Sequence, residues 1–179
     1  MEKLKKLANW KTILILFILF LLFTLYLFPK YQKIINDVSN GEVVILDELF
    51  DYSKNDVDKL FNAMGEKGRD VYIYMSSVID SVYPIVYGLL AFFIILNLTK
   101  NADNKSYLLT IFPIMTVIFD YFENFNIIRL LKKFPNITET QVEITSMLTQ
   151  GKWIFLYLTF VIILILFISK LIIILKKSK

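Results

Sequence analysis

Residues Thr12 to Phe28 read TILILFILFLLFTLYLF, an apolar run without a charged side chain. Lysines precede the run at Lys3, Lys5, Lys6 and Lys11. As a helix, this run is long enough to cross a bilayer core of about 30 Å with little tilt. It is longer than the apolar part of a signal peptide, about 7–15 residues, and Pro29 to Tyr31 offers no small-residue cleavage site. We therefore expect an uncleaved membrane anchor.

Three more apolar runs follow, at about 71–98, 107–131 and 153–175. The composition agrees with them, because 56% of the residues are hydrophobic and the mean hydropathy is +0.59. The sequence predicts an all-α protein, a single integral membrane domain over 1–179 with four spans packed as a four-helix bundle. Residues 29–70 are expected to form a structured extracytoplasmic loop.

The lysines indicate the orientation of the bundle. Short cytoplasmic segments of membrane proteins collect Lys and Arg. Besides the lysines before Thr12, the segments expected on that side contain Lys100, Lys105, Lys176, Lys177 and Lys179. We expect both termini in the cytoplasm of a bacterial cell. The net charge of +4 then reflects topology rather than an anionic partner.

The chain contains no Cys and no His, which excludes disulfides, zinc fingers and catalysis by Cys or His. Any chemistry must use carboxylates, Lys, Tyr, Ser or Thr. No glycine-rich phosphate loop and no basic patch with interleaved aromatic residues is present. We therefore assign no cofactor, no metal and no nucleic acid to this protein, and its first partner is the lipid bilayer.

The long loop contains the pattern of a short amphipathic helix. Ser53 and Asp56 match a capping box in which Asp replaces Glu. The apolar positions that follow have the spacing of one helix face, and Gly65 is a C-cap candidate. These positions are Val57, Leu60, Phe61 and Met64. We expect this helix to cover the bundle as a lid, and a second helix to start near Glu66 and run unbroken into the second span.

Ionisable residues inside the spans are the strongest functional signal, because each costs about 2.5–3.5 kcal/mol at the centre of a membrane helix. The second span carries Asp80, with Tyr83 and Tyr87 on the same face. The third carries Asp120, Glu123 and Asn124 at i, i+3 and i+4. Pro113 is expected to kink that helix before them. The candidate cations are Lys152, Arg129 and Arg69.

Two interpretations of the acidic cluster remain open. It is either a buried network of ion pairs and hydrogen bonds that fixes helix register, or a site that binds a cation, a small molecule or a lipid-like ligand from the outer side. In the second case Asp80, Asp120 and Glu123 supply the acidic groups. The alternative function is an accessory or immunity-type protein that recognises a protein partner through its outer loop. Whether the protein is an enzyme stays open.

The order of these residues resembles an uncharacterised group of small bacterial four-span membrane proteins. The group has an Asp…Pro-x-x-Tyr-Gly helix, an Asp-x-x-Glu-Asn helix and a Thr-x-x-Lys helix. The matching positions here are Asp80, Pro84, Tyr87-Gly88, Asp120, Glu123-Asn124, Thr149 and Lys152. A looser likeness exists to the four-helix superfamily of sterol isomerases and the sigma-2 receptor, which also places carboxylates between helices. The resemblance implies that these positions matter, without naming a reaction.

Overall fold

The computed structural model describes residues 2–100 and 106–177, and this part of the chain is all-helical, with no strand. Lys105 and Lys179, which the charge argument uses, lie outside the described residues. The main helices are α1 (Glu2–Leu7), α2 (Trp10–Leu22), α3 (Phe28–Val38), α4 (Lys54–Tyr74), α5 (Tyr83–Leu98), α6 (Ile111–Lys133) and α7 (Glu139–Lys177). Short 3₁₀ turns occupy Leu46–Glu48 and Ser106–Thr110.

α2 and α3 form one long helix, joined by a π turn at Phe23–Leu27. The Asn9 side chain caps its start by accepting from the backbone N–H groups of Lys11 and Thr12. The helix runs past Phe28, the predicted end of the first span, to Val38. The π turn explains why the helix continues through Pro29. The Phe28 N–H donates to the Phe23 carbonyl five residues back, and this wider turn accommodates Pro29, which has no N–H to donate.

The second span is broken, so the expectation of an unbroken helix is wrong. A π turn at Met75–Ile79 ends at Asp80, whose N–H donates to the Met75 carbonyl at 2.9 Å. α5 starts at Tyr83 with its axis bent by 41°. The cause is Pro84, which has no N–H to donate to the Asp80 carbonyl and whose ring would clash with that carbonyl in a continuous helix. The break places Asp80 between two helix ends rather than along a helix face.

α4 begins at the position that the capping pattern predicts. The Asp56 carboxylate accepts from the Ser53 N–H at 2.9 Å, and these hydrogen bonds lower the pKa of Asp56. α4 extends to Tyr74 but is two helices that meet at a kink at Gly65, where the backbone is non-helical and φ is +62°, so the predicted end of the first helix at Gly65 is confirmed. Such a φ favours glycine. The Arg69 guanidinium donates to the Phe61 carbonyl at 2.8 Å and so bridges the kink.

The third and fourth long helices also differ from their predicted bounds. Pro113 lies in the first turn of α6, where its missing N–H has no helical partner to lose, so it causes no kink and that prediction is wrong. α7 starts at Glu139 rather than Trp153 and is about 58 Å long at 1.5 Å per residue. Thr138 and Gln141 cap it reciprocally, a capping box that the sequence already contains.

The apolar stripe of α4 packs on the end of the bundle that carries residues 39–53. Val57, Phe61 and Met64 are fully buried there, in one core with residues from α3, α6 and α7. These are Ile35, Ile127, Leu130, Leu131 and Val142. The outer faces of the long helices, in contrast, expose large apolar side chains such as Leu25 and Phe160.

By length and composition, three helical segments can cross a membrane: Trp10–Val38, Ser106–Lys133 and Glu139–Lys176. The bent pair Lys54–Ile79 and Tyr83–Leu98 is a fourth if it counts as one span. The structure therefore has the apolar helices that the hydropathy predicts, and it gives the second of them a break.

We predict that Gly88→Ala destabilises the protein by about 1–3 kcal/mol, the cost of overpacking. A Cβ at Gly88 would lie 2.3 Å from Val117 Cγ2, because α5 and α6 approach each other closely at this glycine. Val117→Ala removes that methyl group, so the double variant should recover most of the loss. Thermal unfolding in detergent measures both. The packing argument fails if Gly88→Ala alone unfolds at or above the temperature of the wild type.

Candidate functional site

A cavity of about 640 Å³ lies between the first long helix, α5, α6 and α7. The first helix lines it with Phe20, Thr24 and Phe28. α7 adds Trp153 and Leu156 to this mostly apolar lining. We call this part of the lining the apolar wall. The polar part, which we call the polar wall, consists of Asp80, Tyr83, Tyr87, Asp120 and Lys152. Five of the residues singled out from sequence therefore meet at one cavity.

Asp120 is held by two hydrogen bonds, one from α5 and one from its own helix. The Tyr87 hydroxyl donates to Oδ2 at 2.6 Å, and the Asn124 amide donates to Oδ1 at 2.8 Å. Tyr87 comes from α5, whereas Asn124 is one turn after Asp120 on α6. Because both carboxylate oxygens have a donor, Asp120 links α5 to α6 and faces the cavity at the same time.

Lys152 lines the cavity and pairs with Glu123, which is not part of the lining. Its Nζ lies 2.6 Å from Glu123 Oε2, and Glu123 is fully buried. The same Nζ donates to the backbone carbonyl of Asp47 at 3.3 Å. A buried charge without a partner would be expensive, so each member of this pair makes the other tolerable. The pair joins α6, α7 and the segment before α4.

Asp80 differs from the other two carboxylates. It is 6% exposed, lines the cavity and has no salt bridge among the residues that the structure describes. Its side-chain hydrogen-bond donor is the Asn124 amide, which also donates to Asp120. The position of Asp80 follows from the helix break before Pro84. Tyr83 lines the cavity with it, and the Tyr83 hydroxyl is 3.2 Å from Thr24 Oγ1 of the first helix. Asp80 thus shares one amide donor with Asp120 and has no cationic partner of its own there.

Residues 46–52 border the cavity through Asp47 and Glu48, and we call them the strap. The Tyr72 hydroxyl donates to the Asp47 carboxylate and accepts from the Leu46 N–H at 3.0 Å. On the other side, Trp153 Nε1 donates to the Leu49 carbonyl at 3.2 Å, and the Tyr52 hydroxyl is 2.9 Å from Thr149 Oγ1. Burial raises the pKa of Tyr52, which keeps that hydroxyl neutral.

The strap adds two acidic residues that the sequence reasoning missed. Asp47 and Glu48 both line the cavity. Desolvation raises the pKa of Glu48, and the neighbouring Asp47 adds to the effect. The available signal was their position directly after the apolar stretch from Val43 to Leu46, which indicates a loop that packs on the bundle.

Arg69 and Arg129 do not reach the site. Arg69 lies at the α4 kink, with its guanidinium 5.0 Å from the centre of the Phe134 ring. Arg129 is exposed, and its guanidinium lies 5.6 Å from the centre of the Phe125 ring on the same helix. The expectation that Arg129 neutralises part of the acidic cluster therefore finds no contact, and Lys152 alone among the candidate cations lies at the cavity.

The acidic side chains that the structure describes at the cavity do not have the arrangement of a metal site. No group of three or more acidic side chains within residues 2–100 and 106–177 has the spacing that a metal ion requires. Asp120 and Glu123 are held instead by side-chain donors of the protein. The arrangement can bind a molecule that presents hydrogen-bond donors or positive charge to the polar wall and apolar surface to the other wall.

We predict that Lys152→Met destabilises the protein by about 3–5 kcal/mol, because it leaves the Glu123 carboxylate buried and unpaired. The double variant Lys152→Met/Glu123→Gln should regain most of this loss. Lys54→Met is a matched control, since the Lys54–Asp58 pair is half-exposed and worth about 0.5 kcal/mol. Unfolding temperatures of the purified variants measure all three. Equal losses for the single and double variants would contradict the pairing.

Comparison with protein-family models, with curated proteins and with solved structures gives no match to this chain.

Proposed function

We propose that this chain is a multi-pass protein of the bacterial cell membrane whose outward-facing acidic cavity binds a small, lipid-like ligand. The single observation that carries this proposal is the cavity of about 640 Å³ with one apolar and one polar wall. Ligand pockets typically have volumes of about 300–1,000 Å³, apolar walls and a few convergent polar groups. This cavity fits that description.

Four crossings place both termini on the same side of the membrane. The apolar helices and the bent pair supply four crossings if the bent pair counts as one. The lysines near Thr12 and after Leu175 then favour a cytoplasmic location for both termini. In this orientation the strap and the start of α4 lie outside the cell, and the cavity opens below them in the outer half of the membrane.

The helix packing favours a ligand that reaches the cavity from the bilayer. The first long helix packs on α5, and α7 packs on α6. Thr24 and Leu156 line the cavity from the first helix and α7, although these two helices are not a closely packed pair. Beside the cavity, Leu25 and Tyr157 are 69% and 58% exposed. A cleft between the two helices would let an apolar chain pass sideways.

The structure divides the acidic cluster between the two interpretations. Asp120 and Glu123 have partners that tie helices together, which is what a structural network requires. Asp80 lines the cavity and has no salt bridge among the described residues. We therefore assign the network to positioning and the cavity with Asp80 to ligand binding.

We expect the purified protein to carry a lipid-like molecule that native mass spectrometry detects in mild detergent. Leu156→Trp should fill the apolar wall and remove this molecule. Leu158→Trp is the matched control, since Leu158 lies two residues further on the same helix and is exposed on the outer face. We expect this control to retain the molecule.

An equal content of bound molecule in the two tryptophan variants would contradict the proposed site. Unfolding temperatures of both variants separate loss of ligand from loss of fold. A Leu156→Trp protein that is folded and empty supports the proposal.

A further inference from the structure

We propose that the ligand of this cavity is an amphiphile with a positively charged ammonium head, bound by Asp80, and an apolar chain along the first helix and α7. This inference rests on the proposed function and specifies the chemical class of the ligand. Three independent properties of the cavity support it: its charge, its aromatic side chains and the shape of its apolar wall.

The lining of the cavity has more acidic than basic residues. Its acidic residues are Asp47, Glu48, Asp80 and Asp120, against Lys152 as the basic residue. Lys152 is already paired with Glu123. An anionic head would meet these carboxylates without a free cation, whereas an ammonium group would complement them.

Asp80 is the specific partner that this charge requires. Asp120 accepts from Tyr87 and Asn124, and Asp47 accepts from Tyr72. Asp80 is nine-tenths buried, shares the Asn124 amide with Asp120 and has no salt bridge among the described residues. The fourth acidic residue of the lining, Glu48, is exposed. A buried carboxylate is expected to have hydrogen-bonded and charged partners. A ligand ammonium at the cavity supplies the charge that Asp80 lacks.

Aromatic rings line the same cavity. Tyr83, three residues after Asp80, lies with its ring centre 4.9 Å from that of Phe28 and 5.1 Å from that of Tyr87. On the first helix, the ring centres of Phe23 and Phe20 lie 5.5 Å and 5.9 Å from that of Tyr83. Aromatic faces attract cations and form cages for ammonium ligands. A carboxylate beside several rings is therefore better suited to an ammonium group than to a neutral sugar or an anionic phosphate.

The apolar wall indicates where the rest of the ligand lies. Phe20 and Gln32 both line the cavity and are separated by twelve residues of one helix, which corresponds to about 18 Å along its axis. Leu156 borders the same space from α7. A chain of about a dozen carbons fits this length, with its head at Asp80 and its tail directed between the two helices.

The protein contains its own reporter for the test. Trp153 lines the cavity, and the chain's other tryptophan, Trp10, starts the first helix at the opposite end of the bundle. A Trp10→Phe variant in nanodiscs therefore reports the cavity through quenching by brominated ligands. The probes are 12-bromododecylammonium, 12-bromododecanol and 12-bromododecanoate, which differ only in the head.

We expect the ammonium probe to bind at least about tenfold more tightly than the alcohol, and the carboxylate to bind most weakly. Asp80→Asn should abolish the preference for the ammonium while leaving the alcohol isotherm unchanged. Asp80→Glu, which retains the charge, should keep the preference. Asp58→Asn is the matched control, since Asp58 pairs with Lys54 on α4 away from the cavity, and it should behave like the parent protein.

The outcomes separate the two proposals. Equal affinity for the three heads, or a preference that survives in Asp80→Asn, overturns the ammonium inference and leaves a lipid-like site intact. Absence of specific quenching by all three probes overturns both. Propylammonium has the same head without the chain. If propylammonium displaced the long probe at equal concentration, the ligand would be a water-soluble amine, and the inference that it is an amphiphile would be overturned.

Discussion

The pair between Lys152 and Glu123 is the interaction on which the rest of the site depends. It is buried, it joins α7 to α6, and Lys152 also donates to the Asp47 carbonyl in the strap. One cation therefore fixes two helices and the strap. Since an unpaired charge at this depth would be expensive, the pair also fixes the register of α7, which places Trp153 and Leu156 in the lining.

The helix break before Pro84 determines where Asp80 lies. A continuous helix would place Asp80 along a face that packs on its neighbours. The break instead leaves Asp80 between the π turn and α5, next to open space. π turns are often found at functional sites because they shift side chains out of the regular helical positions. Here one precedes Asp80, and another in the first helix leads into Phe28.

Local sequence patterns predicted many of these features because their causes are local. The Ser53 and Asp56 cap, the apolar stripe at Val57, Phe61 and Met64, and the long apolar runs depend on residues one or two turns apart. The errors arose where two local preferences compete. Pro84 and Pro113 both lie in the first turn of a helix, and the segments before them differ: α5 follows a π turn and a bend of 41°, whereas α6 follows a 3₁₀ turn.

The sequence by itself determined the all-helical composition, the four apolar segments and the residue types available for chemistry, because these follow from periodicity, length and the absence of Cys and His. The tertiary structure decided which ionisable groups meet. It paired Lys152 with Glu123, brought the Asp47 of the strap to the same cavity and left Arg69 and Arg129 elsewhere. These contacts join residues far apart in the chain, and only the packing of helices around the break at Asp80 sets the distances between them.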